Sequence, residues 1–385
     1  MSTRPNSTAG SILNLEHLRK QAKALLRAAR EGNASAKKRL DVVKPKLSDA
    51  QHAIAKENGF ASWPKLRAHL DATSKQASEP ADESRALPKA ANEGEIEEVR
   101  QILEHGEYTQ HDLDLALARA CMRNVAIAPL LVEHGANPNG EYGGNYGPII
   151  LAACEAHAPD GVKFLIDHGA DVRGNPRRKT KYPDNNTPMR MTIGTYLRGD
   201  LDRKHRCIEL LIEAGAEYED DAVIDIHRGR IDSLRARLTA DPSLVHQLFD
   251  LDYGSQLSLR GVTLLHIAAE FNERAAVDLL LERGADLNAR AAIGPDGLGG
   301  QTPIFHVIGS NQGSCFPLFE HLLSTRPNLS VRAKIQANPT LYDWKKGDDV
   351  LDLTPLAYAL RYEHEPQWRE ASREVKALRD LKAPE

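Results

Sequence analysis

The stretch Thr263-Leu-Leu-His-Ile-Ala-Ala269, followed by Val277-Asp-Leu-Leu-Leu-Glu-Arg-Gly-Ala-Asp286, decides the architecture of this chain. It reads as one helix-turn-helix unit. A unit this small cannot bury its own apolar face, so it must stack on copies of itself. Those copies can be found. Gly135-Ala136, Gly169-Ala170, Gly215-Ala216 and Gly284-Ala285 each close an apolar helix, at separations of 34, 46 and 69 residues, the last spanning two units. Helix starts recur as Gly147-Pro-Ile-Ile150, Thr187-Pro-Met189, Thr302-Pro-Ile304 and Thr354-Pro-Leu356. Leu87 precedes Gly106 by the same 19 residues that separate Leu265 from Gly284. In a more degenerate copy, Gly229, Ile231, Leu234 and Leu238 take the register of Gly94, Ile96, Val99 and Leu103.

This pattern resembles the ankyrin repeat, whose signature is Thr-Pro-Leu-His, a small-residue pair and a later Leu-Leu-x-x-Gly-Ala. The resemblance covers roughly residues 83–380, about eight helix-pair units, and implies an all-α ankyrin-repeat solenoid with long inter-repeat loops. About function it implies less, because such arrays are scaffolds that mostly bind other proteins through individual loops. The signature histidine survives at His266, whereas Pro88, Arg190, Phe305 and Ala357 hold its slot in other units.

Each repeated residue has a structural cause. Thr at a helix start caps free backbone N–H groups, and Pro is tolerated in the first turn. Ala152, Ala153, Ala268 and Ala269 let helices of adjacent units approach closely. Gly after the second helix takes the left-handed conformation that ends it. His266 is accordingly read as a structural hydrogen-bonding residue and not as a catalytic one.

A hydrophobic share of 41% supports a packed core, and an aromatic share of 5% fits seams filled by Leu, Ile, Val and Ala. The net charge of −4 hides an asymmetry: residues 1–79 carry 15 Lys and Arg against 7 Asp and Glu, the remainder 35 against 47. The basic head and acidic array therefore either attract one another or serve different partners. Cys121, Cys154, Cys207 and Cys315 show no C-x-x-C pairing and fall in predicted helices, so neither a disulfide framework nor a zinc site is indicated. The first ten residues are polar, no apolar export segment follows, and no run reaches 18 apolar residues. The expectation is a reduced, soluble, cytoplasmic protein with no membrane partner.

Four segments are expected: a disordered tail at 1–10, a three-helix module at 11–71, a polar linker at 72–82 and the solenoid at 83–385. In the module, Leu15, Leu18, Ala22, Leu25, Leu26 and Ala29 share one helix face. A second helix is predicted over Asp49–Glu57 and a third from Ser62, with Phe60 and Trp63 in its core. The phrase Gly59-Phe-Ala-Ser-Trp-Pro-Lys-Leu-Arg-Ala-His-Leu70 is similar to a small helical module found before ankyrin arrays in some bacterial proteins, which implies a bacterial source. Arg19, Lys20, Lys23, Arg27 and Arg30 form a basic face. Without aromatic interleaving, zinc-finger spacing or a clear recognition helix, that face does not point to nucleic acid.

Function is expected in the loops. The unit from Gly169 to Gly215 uses 46 residues where an ordinary repeat needs about 33. Five segments stand out: 140–147, 173–186, 249–260, 291–301 and 334–352. Long loops in a compact repeat are usually functional or disordered. Tyr142, Tyr146, Tyr182, Tyr253, Tyr342 and Trp344 supply flat amphipathic surfaces and Arg178 a cation, the usual anchors of a protein-binding edge. The reading favoured is a non-catalytic scaffold that recognises a partner protein through its concave face and these loops. The alternative is a loop-walled cleft for a polar small molecule or carbohydrate, with Asp252 and Asp343 as acid–base candidates of a hydrolase. No phosphate loop, nucleophile elbow or H-E-x-x-H helix is present. Gly294-Pro-Asp-Gly-Leu-Gly-Gly300 reads as a flexible turn. No cofactor and no metal are expected, because His157, His168, His205, His306 and His321 are scattered without ligand spacing.

Overall fold

The computed structural model describes residues 86–385 apart from 143–146, 174–186, 254–256, 337–349 and 364–370, and residues 22, 25–30, 34–40, 42, 45–57, 62–63 and 65–66. The chain divides into two units, 1–83 and 84–385. In the first, helices Ala34–Leu40 and Leu47–Glu57 follow a helical stretch at 25–30. Ala22, Leu25, Leu26, Ala29, Leu40, Ile54 and Leu66 form its core, with Trp63 partly buried against it. Arg27, Arg30, Lys37, Arg39, Lys56 and Lys65 point to solvent.

In residues 84–385, eight helix pairs follow one another among the described residues. Units 1 to 4 are Ala86–Glu93 with Ile96–His105, Gln110–Arg123 with Ala128–Glu133, Ile150–Glu155 with Pro159–Asp167, and Pro188–Gly194 with Leu201–Glu213. Units 5 to 8 are Ala222–His227 with Ile231–Ala240, Leu264–Glu270 with Arg274–Glu282, the 3-10 turn Pro303–Val307 with Phe316–Ser324, and Pro355–Leu360 with Ser372–Asp380. The first helices of successive units pack together, for instance Ile150–Glu155 on Pro188–Gly194 and Leu264–Glu270 on Pro303–Val307. At those seams Ala152, Ala153, Ala268 and Ala269 are fully buried. Dispersion between closely approaching backbones replaces large side chains there.

The capping residues act as the sequence requires. Thr187 Oγ1 accepts from the Arg190 N–H at 3.2 Å and Thr354 Oγ1 from the Ala357 N–H at 3.1 Å. In unit 2, Asp112 closes a reciprocal box with Thr109. Gly135 and Gly284 end their helices at φ +95° and +85°. Gly106 departs from that register. It lies at φ −92° and ψ 168°, extended backbone, because the chain runs straight on into the next helix. All four cysteines are buried free thiols. Burial pushes Cys121, Cys154 and Cys315 up to about 12, so they are inert as nucleophiles. No helix among the described residues is long and apolar enough to cross a membrane.

Two of the segments expected as loops begin and end as strands. β1 (Phe249–Asp252) pairs antiparallel with β2 (Ser258–Val262), and β3 (Ala333–Gln336) with β4 (Val350–Leu353). Phe249-Asp-Leu-Asp252 alternates half-buried and exposed residues, the period of a strand.

Candidate binding edge

The segments that join units 5 to 6, 6 to 7 and 7 to 8 form one backbone-bonded edge. The Ala292 N–H donates to the Gly261 carbonyl of β2 at 3.0 Å. Residues 291–301 then turn back on themselves: Ala291 N–H donates to Gln301 C=O at 2.8 Å, and Gly294 N–H to Leu298 C=O at 2.8 Å. Gly299 and Lys334 of β3 exchange both backbone bonds, at 2.9 and 2.8 Å. The ribbon thus runs from β1 through β2, 291–292, 299–301 and β3 to β4. The glycine-rich segment read as a flexible turn is one of its hydrogen-bonded crossings. Gly299 sits at φ +133°, and a Cβ there would lie 2.1 Å from the Ala292 carbonyl oxygen, so only glycine lets the two crossings meet.

His266 fastens this ribbon to the helices. Its Nδ1 accepts from the Thr263 N–H at 3.2 Å and the Thr263 hydroxyl at 2.8 Å, while Nε2 donates to the Gln301 carbonyl at 3.0 Å. One ring therefore caps its own helix and holds the next unit's loop, the structural role expected of it. Asparagines tie other turns together. Asn139 Oδ1 accepts from the Asp171 N–H at 2.8 Å, and Asn288 Oδ1 from the Asn328 N–H at 2.7 Å. Both lie four residues beyond a closing glycine, a spacing legible in Gly135-Ala-Asn-Pro-Asn139 and Gly284-Ala-Asp-Leu-Asn288.

Of the residues singled out from sequence, Tyr142, Asp252 and Tyr253 fall in the described regions. Both tyrosines turn inward. Tyr142 is 7% exposed, with the Arg119 guanidinium 5.1 Å from its ring centroid. Tyr253 is also 7% exposed and its hydroxyl meets His227 Nε2 at 2.7 Å. Burial drives the Tyr253 phenol above its ordinary range. Their rings therefore belong to the interior and offer no open contact face. Asp252 is exposed at the end of β1. Its strand neighbour Asp250 is structural, since Oδ1 accepts from the Gly261 N–H at 2.7 Å. Tyr146, Arg178, Tyr182, Tyr342, Asp343 and Trp344 lie outside the described residues.

The exposed chemistry of the ribbon is mixed. Leu248, Ile293 and Val350 are 56%, 52% and 45% exposed. Around them stand Arg260 paired with Asp296 at 3.4 Å and Arg332 with Asp352 at 3.1 Å. The Leu298 N–H, with Arg260, holds the Asp296 carboxyl below the usual carboxylate range. The sequence does not mark these residues as exposed, because Leu248 adjoins Phe249 and Val350 adjoins Leu351, so each reads as part of an apolar run. Among the described residues no group of His, Cys, Asp and Glu is placed to hold a metal ion.

Comparison with known proteins adds the following. Residues 87–176 match the family model for ankyrin repeats in three copies, and residues 260–292 match the single ankyrin repeat. No curated protein matches the chain. Among solved structures it is similar to the human ASB11 ankyrin repeat domain, at 21% identity and TM-score 0.37, covering 61% of this chain and 97% of that one. It is also similar to the ankyrin repeat domain of Bcl-3, described as a unique member of the IkappaB protein family, at 18% identity and TM-score 0.28, over 77% of this chain and 98% of that one. With the first matched segment over units 1 to 3 and the second over unit 6 of one helix-pair series, this chain carries ankyrin repeats in an all-α solenoid.

Proposed function

We propose that the protein is a non-catalytic scaffold that binds a partner protein along the ribbon of inter-repeat segments. The continuous backbone bonding from β1 to β4 carries this reading. A pre-ordered edge loses little conformational entropy when a partner settles on it. Its isolated apolar residues among ion pairs match the mixed character of a transient protein interface. The side chains, and not the free strand edge, are the contact surface: Arg332 Nη2 occupies the Asp352 carbonyl of β4 at 2.6 Å, which blunts that edge against strand addition. Tyr146, Arg178, Tyr182, Tyr342 and Trp344 remain the proposed anchors on the sequence argument. The carbohydrate alternative draws no support from Asp252, which stands exposed at a strand end and lacks the enclosed setting that tunes a catalytic carboxyl.

The test is a pull-down with the full chain, followed by affinity measurement on the partner recovered. Trp344→Ala or Arg178→Ala should weaken binding by about 2 kcal/mol or more with the melting temperature unchanged. Turnover of an oligosaccharide or polar metabolite, abolished by Asp252→Asn or Asp343→Asn, would overturn the scaffold reading.

A further inference from the structure

Units 4 and 6 touch each other across unit 5. In a regular stack each unit meets its immediate neighbours. Here the turn of unit 6, Glu270 to Glu273, is held by unit 4. Arg198 Nε donates to the Glu270 carbonyl at 2.8 Å and Nη2 pairs with Glu270 Oε1 at 3.3 Å. Asn272 Nδ2 donates back to the Arg198 carbonyl at 2.8 Å. Lys204 Nζ and His205 Nε2 both meet Glu273 Oε1, at 2.6 and 2.9 Å. Phe271 is fully buried between them, with the Arg198 guanidinium 4.5 Å and Lys204 Nζ 5.2 Å from its ring centroid. Unit 5 supplies the remaining walls. His227 meets Phe271 edge-on at 4.5 Å, and a Cβ at Gly229 would lie 2.5 Å from the His205 ring. Arg228 and Arg230 tie unit 5 to Glu209 of unit 4 at 2.6 and 2.9 Å.

These charges stand where the link between units is short. Asp221, the cap of unit 5, follows Gly215 by only six residues, whereas Thr302 follows Gly284 by 18. That link is too short to fold back as the 291–301 segment does. Glu219 occupies the register of the bridging residues Asn139 and Asn288.

We propose that this contact is a latch. It fixes the angle between the block of units 1–4 and the block of units 6–8, and it can release while both blocks stay folded. The energetic reason lies in its chemistry. An apolar seam loses its full hydrophobic stabilisation on opening. A buried ion network regains on opening the hydration that burial removed, which offsets part of the loss of its pairs and of the Phe271 contact, so it opens at lower cost than an apolar seam of the same size. Closed, the network holds opposing effects: burial pushes the Glu273 carboxyl up, but Lys204 and His205 outweigh it and hold the carboxyl below its ordinary range, whereas at Lys204 burial outweighs Glu273 and lowers the ammonium below its own. Opening changes the span between the 140–148 segment and the β1–β4 ribbon. The consequence for partner binding rests on the scaffold reading; the latch itself does not.

The experiment therefore uses no partner. Spin labels go on Lys163→Cys in unit 3 and Glu320→Cys in unit 7, both exposed, while the four native cysteines are buried. Electron–electron double resonance should give one narrow distance distribution in the labelled parent. Glu273→Gln should add a second population with far-UV circular dichroism unchanged. Lys204→Met/Glu273→Leu, which replaces the charges by an apolar contact, should restore the single distance. A folded Glu273→Gln chain with the parent distribution would overturn the latch. If Glu273→Gln does not fold, the same labels on Asn272→Gly decide, because that change removes the bond to the Arg198 carbonyl and suits the φ of 60° there. It should add the second population, and a folded Asn272→Gly chain with the parent distribution would also overturn the latch.

Discussion

His266 accepts at Nδ1 and donates at Nε2, which only a neutral imidazole can do. Burial, reinforced by His306, lowers its pKa to about 3. His157, whose Nε2 meets the Thr192 carbonyl at 2.8 Å, is lowered by burial to about 4. An unfolded histidine titrates near 6.5, so between that pH and these values the unfolded chain binds protons that the folded chain refuses. Stability is then complete above about pH 6.5 and falls as the medium is acidified, by on the order of 3 kcal/mol from His157 alone at about pH 4. Urea melts between pH 7.5 and 4.5 should show the midpoint falling, and a flat midpoint would mean that both rings titrate while folded. Steric crowding gives a second test. Ala269→Leu adds methylenes to a fully buried seam and should destabilise by about 1–3 kcal/mol in the same melts. The roles of His266 and Ala269 were legible in the sequence because the repeat fixes their register. The inward turn of Tyr253 was not. Its hydroxyl partner, His227, is 26 residues away in the most degenerate unit, and nothing local distinguishes it from a solvent-facing loop tyrosine.

Helices end and begin at Gly-Ala and Thr-Pro because those residues satisfy helix termini locally, so the helix pairs could be read from one sequence. The strands could not be placed as surely. β1 and β4 are four residues each, too short for a period of two to separate them from loop. What stabilises them is antiparallel pairing within each inter-repeat segment, with Gly261 and Lys334 bonded in addition to the 291–301 segment, and none of this shows in a local residue pattern. The ribbon makes a prediction of its own. Gly299→Ala would force a Cβ to within 2.1 Å of the Ala292 carbonyl oxygen and strain a φ of +133°. The 299–334 exchange should then break. Amide exchange of Ala292 and Lys334 should accelerate, while helix 274–282 keeps its protection. Unchanged protection at Lys334 would mean that the ribbon is not held by this crossing.

Charge divides the molecule, with a net +8 over residues 1–79 against −12 over the rest, and the polar stretch 72–82 lies near the change of sign. The boundary between the two units falls at 83/84. Each unit has its own buried set: Leu25, Ile54 and Leu66 in the first, Leu87, Val99 and Leu103 at the start of the second. A segment without its own apolar residues cannot offset the entropy of ordering itself, and such segments are where proteases cut. Brief proteolysis should therefore cleave within 72–82 and leave residues 83–385 as a folded fragment. Its melting temperature should lie within a few degrees of the full chain. The competing arrangement makes the first unit a cap for the array, since terminal repeats of a stack expose an apolar face unless a polar cap covers it. The fragment would aggregate or melt well below the full chain. Thermal melts and light scattering on the purified fragment separate the two outcomes, and an early-melting or aggregating fragment would rule out an independent array.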